Sequence, residues 1–194
     1  MPRHDDRPWL DMTKSIPELR TARLILRAPR SEDFPAWAAH MADEDVMRYL
    51  GGPNPPLSAW RNMTSVVGAW AIVGFSMFSV IEAASGRWIG RTGPWRPEGW
   101  PGNEIGWSFS KDVWGKGYAT EAAQAAMAFA FEKLGWMDCV HSIDPHNAAS
   151  IAVAARLGSD FRRVVSLPAP NDKDVNLYGQ TADHWRMRNS GVSD

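Results

Sequence analysis

A glycine-rich turn between a strand-like segment and a long helical pattern places the strongest constraint on how this chain can fold. The turn is Trp114–Ala122, with glycines at 115 and 117, and it follows the strand-like run Glu104–Ser110. Alanines and larger apolar residues then recur on one stripe through Ala119–Leu134, which predicts an amphipathic helix. Glycines allow a ligand to approach the backbone closely, and the first N–H groups of a helix attract negative charge. The segment therefore predicts a strand–turn–helix unit that can bind a pyrophosphate.

Two common phosphate-binding motifs do not fit this turn. A Walker A loop requires an upstream glycine and a Ser or Thr after its Gly-Lys pair, whereas Gly115-Lys116 is followed by Gly117. A dinucleotide fingerprint requires a third glycine, where this chain has Thr120, and an acidic residue on a following parallel strand. A tight turn that only caps the helix, without a ligand, stays open as an alternative.

The turn resembles the pyrophosphate loop of the GNAT superfamily of acyl-CoA-dependent N-acyltransferases, which reads Gln/Arg-x-x-Gly-x-Gly/Ala. The corresponding residues are Trp114–Ala119, with Gly117 and Ala119 at the two small positions. Trp114 departs from the family's usual first residue, which affects a side-chain contact there but not the backbone cradle.

A second segment supports the same resemblance. Asn147-Ala148-Ala149-Ser150, followed by Arg156-Leu157-Gly158, resembles the Asn-x-x-Ser…Leu-Gly segment after the family's fifth strand. The resemblance covers about Arg23 to Trp185, and Glu104–Trp107 is most similar to the branch of ribosomal-protein N-terminal acetyltransferases. It implies that acetyl-CoA is the co-substrate and that an acyl group is transferred directly to an amine.

The pattern of apolar and turn residues predicts an α/β fold with the element order βααβββαβαββ. This order, like the GNAT resemblance, implies a mixed, mostly antiparallel sheet of roughly six to seven strands with helices on both faces. Ser31 and Ser58 are predicted to cap the first two helices, and Gly158 to end the last one. The predicted strands are Leu24–Ala28, Phe75–Ile81, Arg87–Thr92, Glu104–Ser110, Cys139–Ile143, Phe161–Leu167 and Val175–Gln180.

Length and composition favour one domain. The 194 residues are predicted to form an N-terminal extension at 1–20, a single N-acetyltransferase domain at 21–185 and a mobile C-terminal tail at 186–194. The N-terminal segment lacks the apolar core of a signal peptide. The uncharged run Met63–Ile81 is interpreted as a helix that ends near Gly74 and a following strand rather than as a membrane span. A net charge of −1 gives no reason to expect nucleic acid as a partner, and the single Cys139 is compatible with a reducing cytoplasm.

The resemblance implies mostly backbone contacts with the cofactor. The N–H groups from Gly115 to Thr120 would hold the pyrophosphate, Lys116 could add charge, and the pantetheine arm would lie like an extra strand beside the strand before the loop. Asn147 and Ser150 would contact CoA or, equally, serve as simple helix caps. The predicted cofactor-binding residues are Phe109, Ser110, Trp114, Gly115, Lys116, Gly117, Tyr118, Ala119, Thr120, Asn147 and Ser150.

Glu104 is the first candidate for a general base, because alkyl amines are mostly protonated at neutral pH and must lose a proton before they react. Some family members carry a catalytic glutamate at nearly this place. The alternatives are an exposed or hydrogen-bonded strand residue, or a carboxylate that only orders the acceptor. Ser142 stands where some N-terminal acetyltransferases have a glutamate base, and a serine there could orient a water.

The sequence leaves the general acid open. Ala154 stands where several relatives have the tyrosine that protonates the leaving CoA thiolate, so another group, water or unaided departure is required. Tyr118 and Tyr178 are weaker candidates for that role, since Tyr118 is better interpreted as a packing residue and Tyr178 is remote.

The acceptor is predicted to be a primary amine, either a protein N-terminal α-amine or a small molecule. Most of the eleven tryptophans are interpreted as packing residues, but Trp95 or Trp100, on a Pro- and Gly-rich loop, could line an acceptor pocket. His141 and His146 lack the spacing of a helical zinc pair, so no metal is expected. Many relatives dimerise, and a homodimer is compatible with the sequence. The alternatives are a non-catalytic acyl-CoA-binding regulatory module, which Ala154 motivates, and an interaction protein that uses exposed aromatic residues.

Overall fold

The fold is built on one mixed sheet. The computed structural model describes residues 16–169 and 172–190. The strands are β1 (Leu19–Arg20), β2 (Leu24–Arg27), β3 (Phe78–Glu82), β4 (Trp88–Trp95), β5 (Glu104–Phe109), β6 (Asp138–Ile143), β7 (Asp160–Ser166) and β8 (Asp174–Thr181). Within these described ranges they form a single eight-stranded sheet in the order β1-β2-β3-β4-β5-β6-β8-β7. Neighbouring strands are antiparallel except β5 and β6, which run parallel.

Helices cover both faces of this sheet. They are α1 (Phe34–Ala42), α2 (Glu44–Met47), α3 (Pro56–Val73), α4 (Tyr118–Glu132), α5 (Ala148–Leu157) and α6 (Ala182–Ser190). On β3, Phe78 and Val80 pack in a cluster with residues of α4, whereas Ile81 packs with α1 and α3. The predicted fold class, a mixed and mostly antiparallel sheet with helices on both faces, is confirmed.

The predicted strand count and element order were incomplete, because three elements are too short or too polar to show a periodic pattern of apolar residues. β1 has only two residues, and α2 is a single turn whose first N–H groups are capped by the Asp43 carboxylate. α6 has no apolar stripe, since it is made mostly of polar and charged residues. The observed order is ββαααβββαβαββα, with eight strands instead of six to seven.

The helix caps predicted at Ser31 and Ser58 are wrong, and proline explains one of them. α3 begins at Pro56, because proline is pre-set for the first helical position and needs no donor there. Ser31 instead opens a short 3₁₀ turn that precedes α1. The predicted helix ends at Gly74 and Gly158 are confirmed, and both glycines adopt the left-handed conformation, at φ 79° and 84°.

Parts of the predicted terminal segments lie outside the described residues. Residues 1–15 of the predicted extension and 191–194 of the predicted tail are among them, whereas Leu19–Arg20 form β1 and the residues from Arg186 to Ser190 continue α6. The uncharged run Met63–Ile81 divides at Gly74 into the end of α3 and the start of β3. None of the helices in the described ranges has the length and apolar character needed to span a bilayer.

A buried carboxylate ties the first strand of the core to the turn before α1. Asp33, 3% exposed, accepts hydrogen bonds from Arg27 Nη1 and Nη2 at 2.8 and 2.7 Å, from the Arg30 N–H at 2.9 Å and from Ser79 Oγ at 2.7 Å. Burial by itself would raise the pKa of Asp33, but the hydrogen bonds from Arg27, Arg30 and Ser79 and the charge of Arg27 outweigh it. The pKa of Asp33 therefore lies below its ordinary value.

Asp33→Ala is expected to lower the free energy of unfolding by about 3–5 kcal/mol at pH 7, because Arg27 keeps a buried charge without its partner. Urea denaturation measures the loss. Since the pKa of Asp33 is lowered in the folded state, the loss should be complete above pH 4 and should shrink as the pH falls further. Glu32→Ala, at a neighbouring carboxylate that is 67% exposed, should change stability by less than about 1 kcal/mol. Equal effects of the two variants would contradict this assignment.

Candidate active site

Two cavities open on the sheet and meet at its centre. The first, here called the loop cavity, is about 870 Å³ and lies at the glycine turn before α4. The second, here called the Glu104 cavity, is about 400 Å³ and lies over β4 and β5 on the face covered by α1 and α3. Their shared lining residues are Tyr49, Leu50, Trp107, Ser108, Asn147 and Ser150. Ligands in the two cavities can therefore touch each other only at this junction.

The glycine turn presents unpaired backbone N–H groups to the loop cavity. Gly115 and Gly117 are both left-handed, at φ 75° and 80°, and Gly117 is the N-cap of α4 without a side-chain cap. The first bond within α4 runs from the Glu121 N–H to the Gly117 carbonyl at 3.1 Å, so the N–H groups of 118–120 have no partner inside the helix. Since this turn lines the cavity, it can bind an anion there.

A salt bridge fixes the position of the turn. The Glu121 carboxylate accepts hydrogen bonds from Thr21 Oγ1 at 2.6 Å, from the Arg23 N–H at 2.9 Å and from Arg23 Nε at 2.7 Å. Arg23 in turn donates to the Lys116 carbonyl at 2.9 Å and lies over the Tyr118 ring, 4.4 Å from its centre. The turn is thus clamped to the start of β2, and its N–H groups are held in place.

Tyr118 lines the loop cavity, whereas Lys116 does not. The Tyr118 hydroxyl donates to Glu82 Oε1 at 2.7 Å, and this bond raises the pKa of Tyr118 above its ordinary value. Lys116 is exposed. A contact of either residue with CoA stays a prediction.

The edge of β5 that faces β6 is open beyond one residue pair. The two strands pair only at Glu104 and Val140. Beyond that pair, the Ile105 carbonyl accepts a hydrogen bond from the side chain of His141, through Nδ1 at 2.8 Å, rather than from a backbone N–H of β6. Alternate residues of a strand direct their backbone groups to the same side, so the N–H groups of Trp107 and Phe109 lie on this open edge.

Ser110 does not fit the predicted backbone contact. Its N–H donates to the Ile89 carbonyl at 2.9 Å, and its carbonyl accepts from the Val113 N–H at 3.1 Å. The Phe109 carbonyl is also taken, by Trp114 Nε1 at 2.8 Å. Trp114 itself is half-exposed and lines the loop cavity, as Phe109 does, whereas Ser110 does not.

Asn147 caps α5, and both Asn147 and Ser150 reach the junction. Asn147 Oδ1 accepts from the Ser150 N–H at 3.1 Å, and Trp107 Nε1 donates to Ser150 Oγ at 3.4 Å. The capping interpretation is thus shown for Asn147, and a contact of either residue with CoA stays a prediction.

Glu104 is buried at the base of the Glu104 cavity. The residue is 8% exposed, and its Oε2 accepts a hydrogen bond from Trp100 Nε1 on the loop between β4 and β5. Burial raises the pKa of Glu104 to about 7, which the hydrogen bond from Trp100 and the nearby hydroxyl and N–H of Ser142 only partly oppose. The Ser142 hydroxyl lines the cavity but does not meet hydrogen-bond geometry with any described residue. The side chain of Glu104 can therefore exchange a proton near neutral pH.

The structure places the other sequence candidates in the core. His141 Nδ1 donates to Ile105, its Nε2 accepts from Ser159 Oγ at 2.9 Å, and burial lowers the pKa of His141 to about 4. Burial also raises the pKa of Cys139 to about 12, so it is a packed thiol. Ala154 is fully buried in α5, and Tyr178 lines neither cavity. No cluster of three or more candidate metal ligands occurs within 16–169 and 172–190.

Several site residues were missed by sequence reasoning. Tyr49 reaches the junction from the segment after α2, and Ser108 reaches it from β5, where its Oγ is 2.7 Å from His40 Nε2. Arg91 lines the Glu104 cavity from β4. No local pattern marks these residues, because each is isolated in its own segment and only the fold brings them together.

A helix N-terminus with free N–H groups beside an open strand edge, together with a buried glutamate in an adjoining cavity, agrees with the class of acyltransferases. The chain belongs to the GNAT acetyltransferases, since residues 23–160 match the family model described as an acetyltransferase (GNAT) domain. The family resemblance predicted from the two motifs is confirmed.

Individual relatives agree with this membership. The chain is 33% identical to the uncharacterized protein YkkB of Bacillus subtilis over 153 residues, which cover 76% of this chain and 88% of YkkB. The crystal structure of an acetyltransferase from Agrobacterium tumefaciens superposes with a TM-score of 0.77 at 33% identity, covering 86% of this chain and 95% of that one. Mycobacterium smegmatis RimJ in complex with CoA-disulfide has the same fold at 21% identity, with a TM-score of 0.66 over 90% of this chain and 94% of its own.

Glu104→Gln is expected to change the pH dependence of stability. The pKa of Glu104 is about 7 in the folded state and 4.5 ordinarily, so its contribution is present below pH 4.5 and lost as the pH rises through 7. The glutamine amide of the variant does not ionise in this pH range, so it makes no such pH-dependent contribution to stability. Relative to the wild type, the variant should therefore gain up to about 3 kcal/mol in free energy of unfolding between pH 4 and pH 8. Urea denaturation at both pH values measures this gain. Glu98→Gln, at an exposed glutamate of the same cavity, should show no such change, and parallel profiles for both variants would refute the buried carboxylate.

Proposed function

We propose that this acyltransferase transfers an acetyl group directly from acetyl-CoA to a primary amine, which is a protein N-terminal α-amine or a small molecule. The observation that carries the proposal is the meeting of the loop cavity and the Glu104 cavity at one junction. One substrate enters from each side, so both can be bound together and the acyl group need not pass through a covalent enzyme intermediate.

The loop cavity fits the chemistry of CoA. A pyrophosphate requires several N–H groups aimed at one point, and the turn from Gly115 to Thr120 supplies them at the N-terminus of α4. An extended amide chain requires a strand edge, which β5 offers at Trp107 and Phe109 beyond its pair with β6. When bound, acetyl-CoA supplies an activated thioester. An N–H group on this edge would donate to the thioester carbonyl as negative charge develops on its oxygen.

Glu104 is proposed as the general base. It lies on the same strand as Ser108 of the junction, four residues away, which is about 13 Å along the strand. A proton from the amine would therefore reach the carboxylate through a water molecule, or directly if the acceptor brings its amine close to Glu104. A pKa near 7 leaves a large fraction of Glu104 ionised at neutral pH and still basic enough to take the proton. The amine nitrogen then bonds to the thioester carbon as the carbon–sulfur bond breaks.

Tyr49 is proposed as the group that returns a proton to the departing thiolate. The chain has three tyrosines, and Tyr118 and Tyr178 are occupied elsewhere, the first by Glu82 and the second on β8 beside Phe161. Tyr49 lines both cavities. Its backbone carbonyl accepts from Lys173 Nζ at 2.5 Å, which fixes the segment that carries it. Tyr49, on the segment between α2 and α3, would thus donate the proton that Ala154 on α5 cannot donate.

The cellular setting is also part of the proposal. The buried thiol of Cys139 fits a reducing cytoplasm, and the net charge of −1 favours neither nucleic acid nor an anionic membrane surface as a partner. Within the family a homodimer is a further expectation for the chain.

The decisive experiment measures CoA release from acetyl-CoA with a panel of amines and N-terminal peptides, and identifies products by mass spectrometry. Wild-type protein should acetylate at least one acceptor class, with kcat/KM rising through a pKa near 7. Glu104→Gln should lose this pH dependence and fall about 100-fold or more, since general bases contribute about 10²–10⁴-fold. Glu98→Gln serves as the control. Binding of acetyl-CoA without transfer to any amine would instead favour a regulatory module.

Tyr49→Phe should lower kcat by about 10- to 100-fold and leave the KM for acetyl-CoA nearly unchanged, because the ring still fills the junction. Steady-state kinetics with the best acceptor measures both parameters. Tyr178→Phe removes a hydroxyl outside both cavities and should have wild-type kcat. A wild-type kcat in Tyr49→Phe would assign protonation of the thiolate to water.

A further inference from the structure

One positive charge in the Glu104 cavity has no counter-charge among the residues that the structure describes. Arg91 lies on β4 directly opposite Ser108 of the junction and lines the cavity. Its Nη1 donates to Asn62 Oδ1, and its guanidinium carbon lies 5.0 Å from the centre of the Trp37 ring. These contacts orient the guanidinium, but neither partner carries a negative charge.

No carboxylate in the described ranges forms a salt bridge with Arg91. Its Nε is buried without a hydrogen-bond partner among the same residues. Burial lowers the pKa of Arg91 to about 10, so the guanidinium still carries its charge at neutral pH. A buried charge without a partner is unfavourable, which is why such groups in cavities so often bind a ligand of opposite charge.

The neighbouring titratable groups do not compensate this charge. His40 on α1 faces Ser108 and is neutral, because burial and then the charge of Arg91 lower the pKa of His40 to about 3. Asp144 of the cavity pairs with Lys173, 3.5 Å away. Glu98 is exposed at the rim of the same cavity.

Glu104 and Arg91 mark the two ends of the cavity floor. Arg91 is paired with Ser108, and Glu104 with Trp95, so the two charged residues are four register positions apart, about 13 Å along the strands. Gly106 lies between them, and a Cβ there would lie 2.7 Å from Met77 Cε, so the Met77 methyl group packs over the centre of the floor. Because Glu104 and Arg91 both line this cavity, a ligand bound in it can meet a proton acceptor and a cation.

We propose that Arg91 binds a carboxylate of the acceptor, so that the preferred acceptors are amines that carry a carboxylate. The proposal rests on the proposed transferase function and names its substrate class. Nη1 is held by Asn62, whereas Nε and Nη2 have no hydrogen bond to the described residues, and this edge of a guanidinium matches the two oxygens of a carboxylate. The carboxylate can belong to a free amino acid or to an acidic side chain near a peptide N-terminus.

The test compares acceptors that differ only in charge. Amino acids are paired with their amides, and peptides that begin with Glu or Asp with those that begin with Gln or Asn. We expect the acid of at least one pair to have a kcat/KM at least 10-fold above its amide, and Arg91→Gln to bring this ratio close to one. The pair that shows the preference distinguishes free amino acids from peptides. Arg87→Gln, at an exposed arginine outside the cavity, should keep the preference. Turnover of amines without any acid preference would overturn the inference and leave the proposed function standing.

A second measurement does not depend on turnover. If Arg91 is an uncompensated binding group, Arg91→Met should keep or raise the melting temperature, and the carboxylated acceptors should raise that of the wild type but not of the variant. A melting temperature that falls by several degrees in Arg91→Met, with no effect of carboxylated amines on the wild type, would show that Arg91 only supports Asn62 and Trp37. That result would overturn the inference even if no amine were acetylated.

Discussion

The parallel ladder between β5 and β6 stops after one residue pair, and the whole site depends on that stop. Beyond Glu104 and Val140, the imidazole of His141 donates to the Ile105 carbonyl, where a backbone N–H would otherwise continue the ladder. The ring is neutral, buried and held by Ser159 on its other side. From this point the two strands no longer pair, and the edge of β5 is left open where the two cavities meet.

The site also depends on a glycine turn that is held in place before a ligand binds. The N–H groups at the start of α4 can bind an anion without rearrangement only if the turn is already held, and Glu121 and Arg23 hold it from the first core strand. Glu121 lines the loop cavity, and its charge there is balanced by the salt bridge to Arg23. Glycine at 115 and 117 is required because both positions are left-handed, where other residues are strained.

Desolvation sets the charge states of the groups in and around the Glu104 cavity. The same burial raises the pKa of Glu104 towards neutrality, keeps His40 uncharged and leaves Arg91 as a cation without a partner. A proton acceptor at one end of the cavity and a cation at the other are the basis of the proposed preference for amines that carry a carboxylate. Trp100 lines the Glu104 end and contributes a hydrogen bond, so the aromatic loop does line a cavity, and its role as an acceptor pocket belongs to the proposed function.

Local patterns in the sequence determined the elements whose signals lie within a few residues of one another. The glycine turn with α4, the Asn147 cap with α5, the end of α3 at Gly74 and Glu104 at the start of β5 are all of this kind. These signals can be recognised in the sequence because turn geometry, capping and the helix period each involve residues that are close along the chain. β1, α2 and α6 were missed because they are too short or too polar to show a period.

Only the tertiary structure decided which side chains share the site. Tyr49, Arg91 and Ser108 come from three separate elements, and sheet register and helix packing bring them to one junction. The same register showed that the backbone of Ser110 is already paired, and the packing showed that Lys116 lies outside the cavity. Burial too is a tertiary property, so a glutamate with a pKa near 7 and an arginine without a partner cannot be inferred from the residues that flank them.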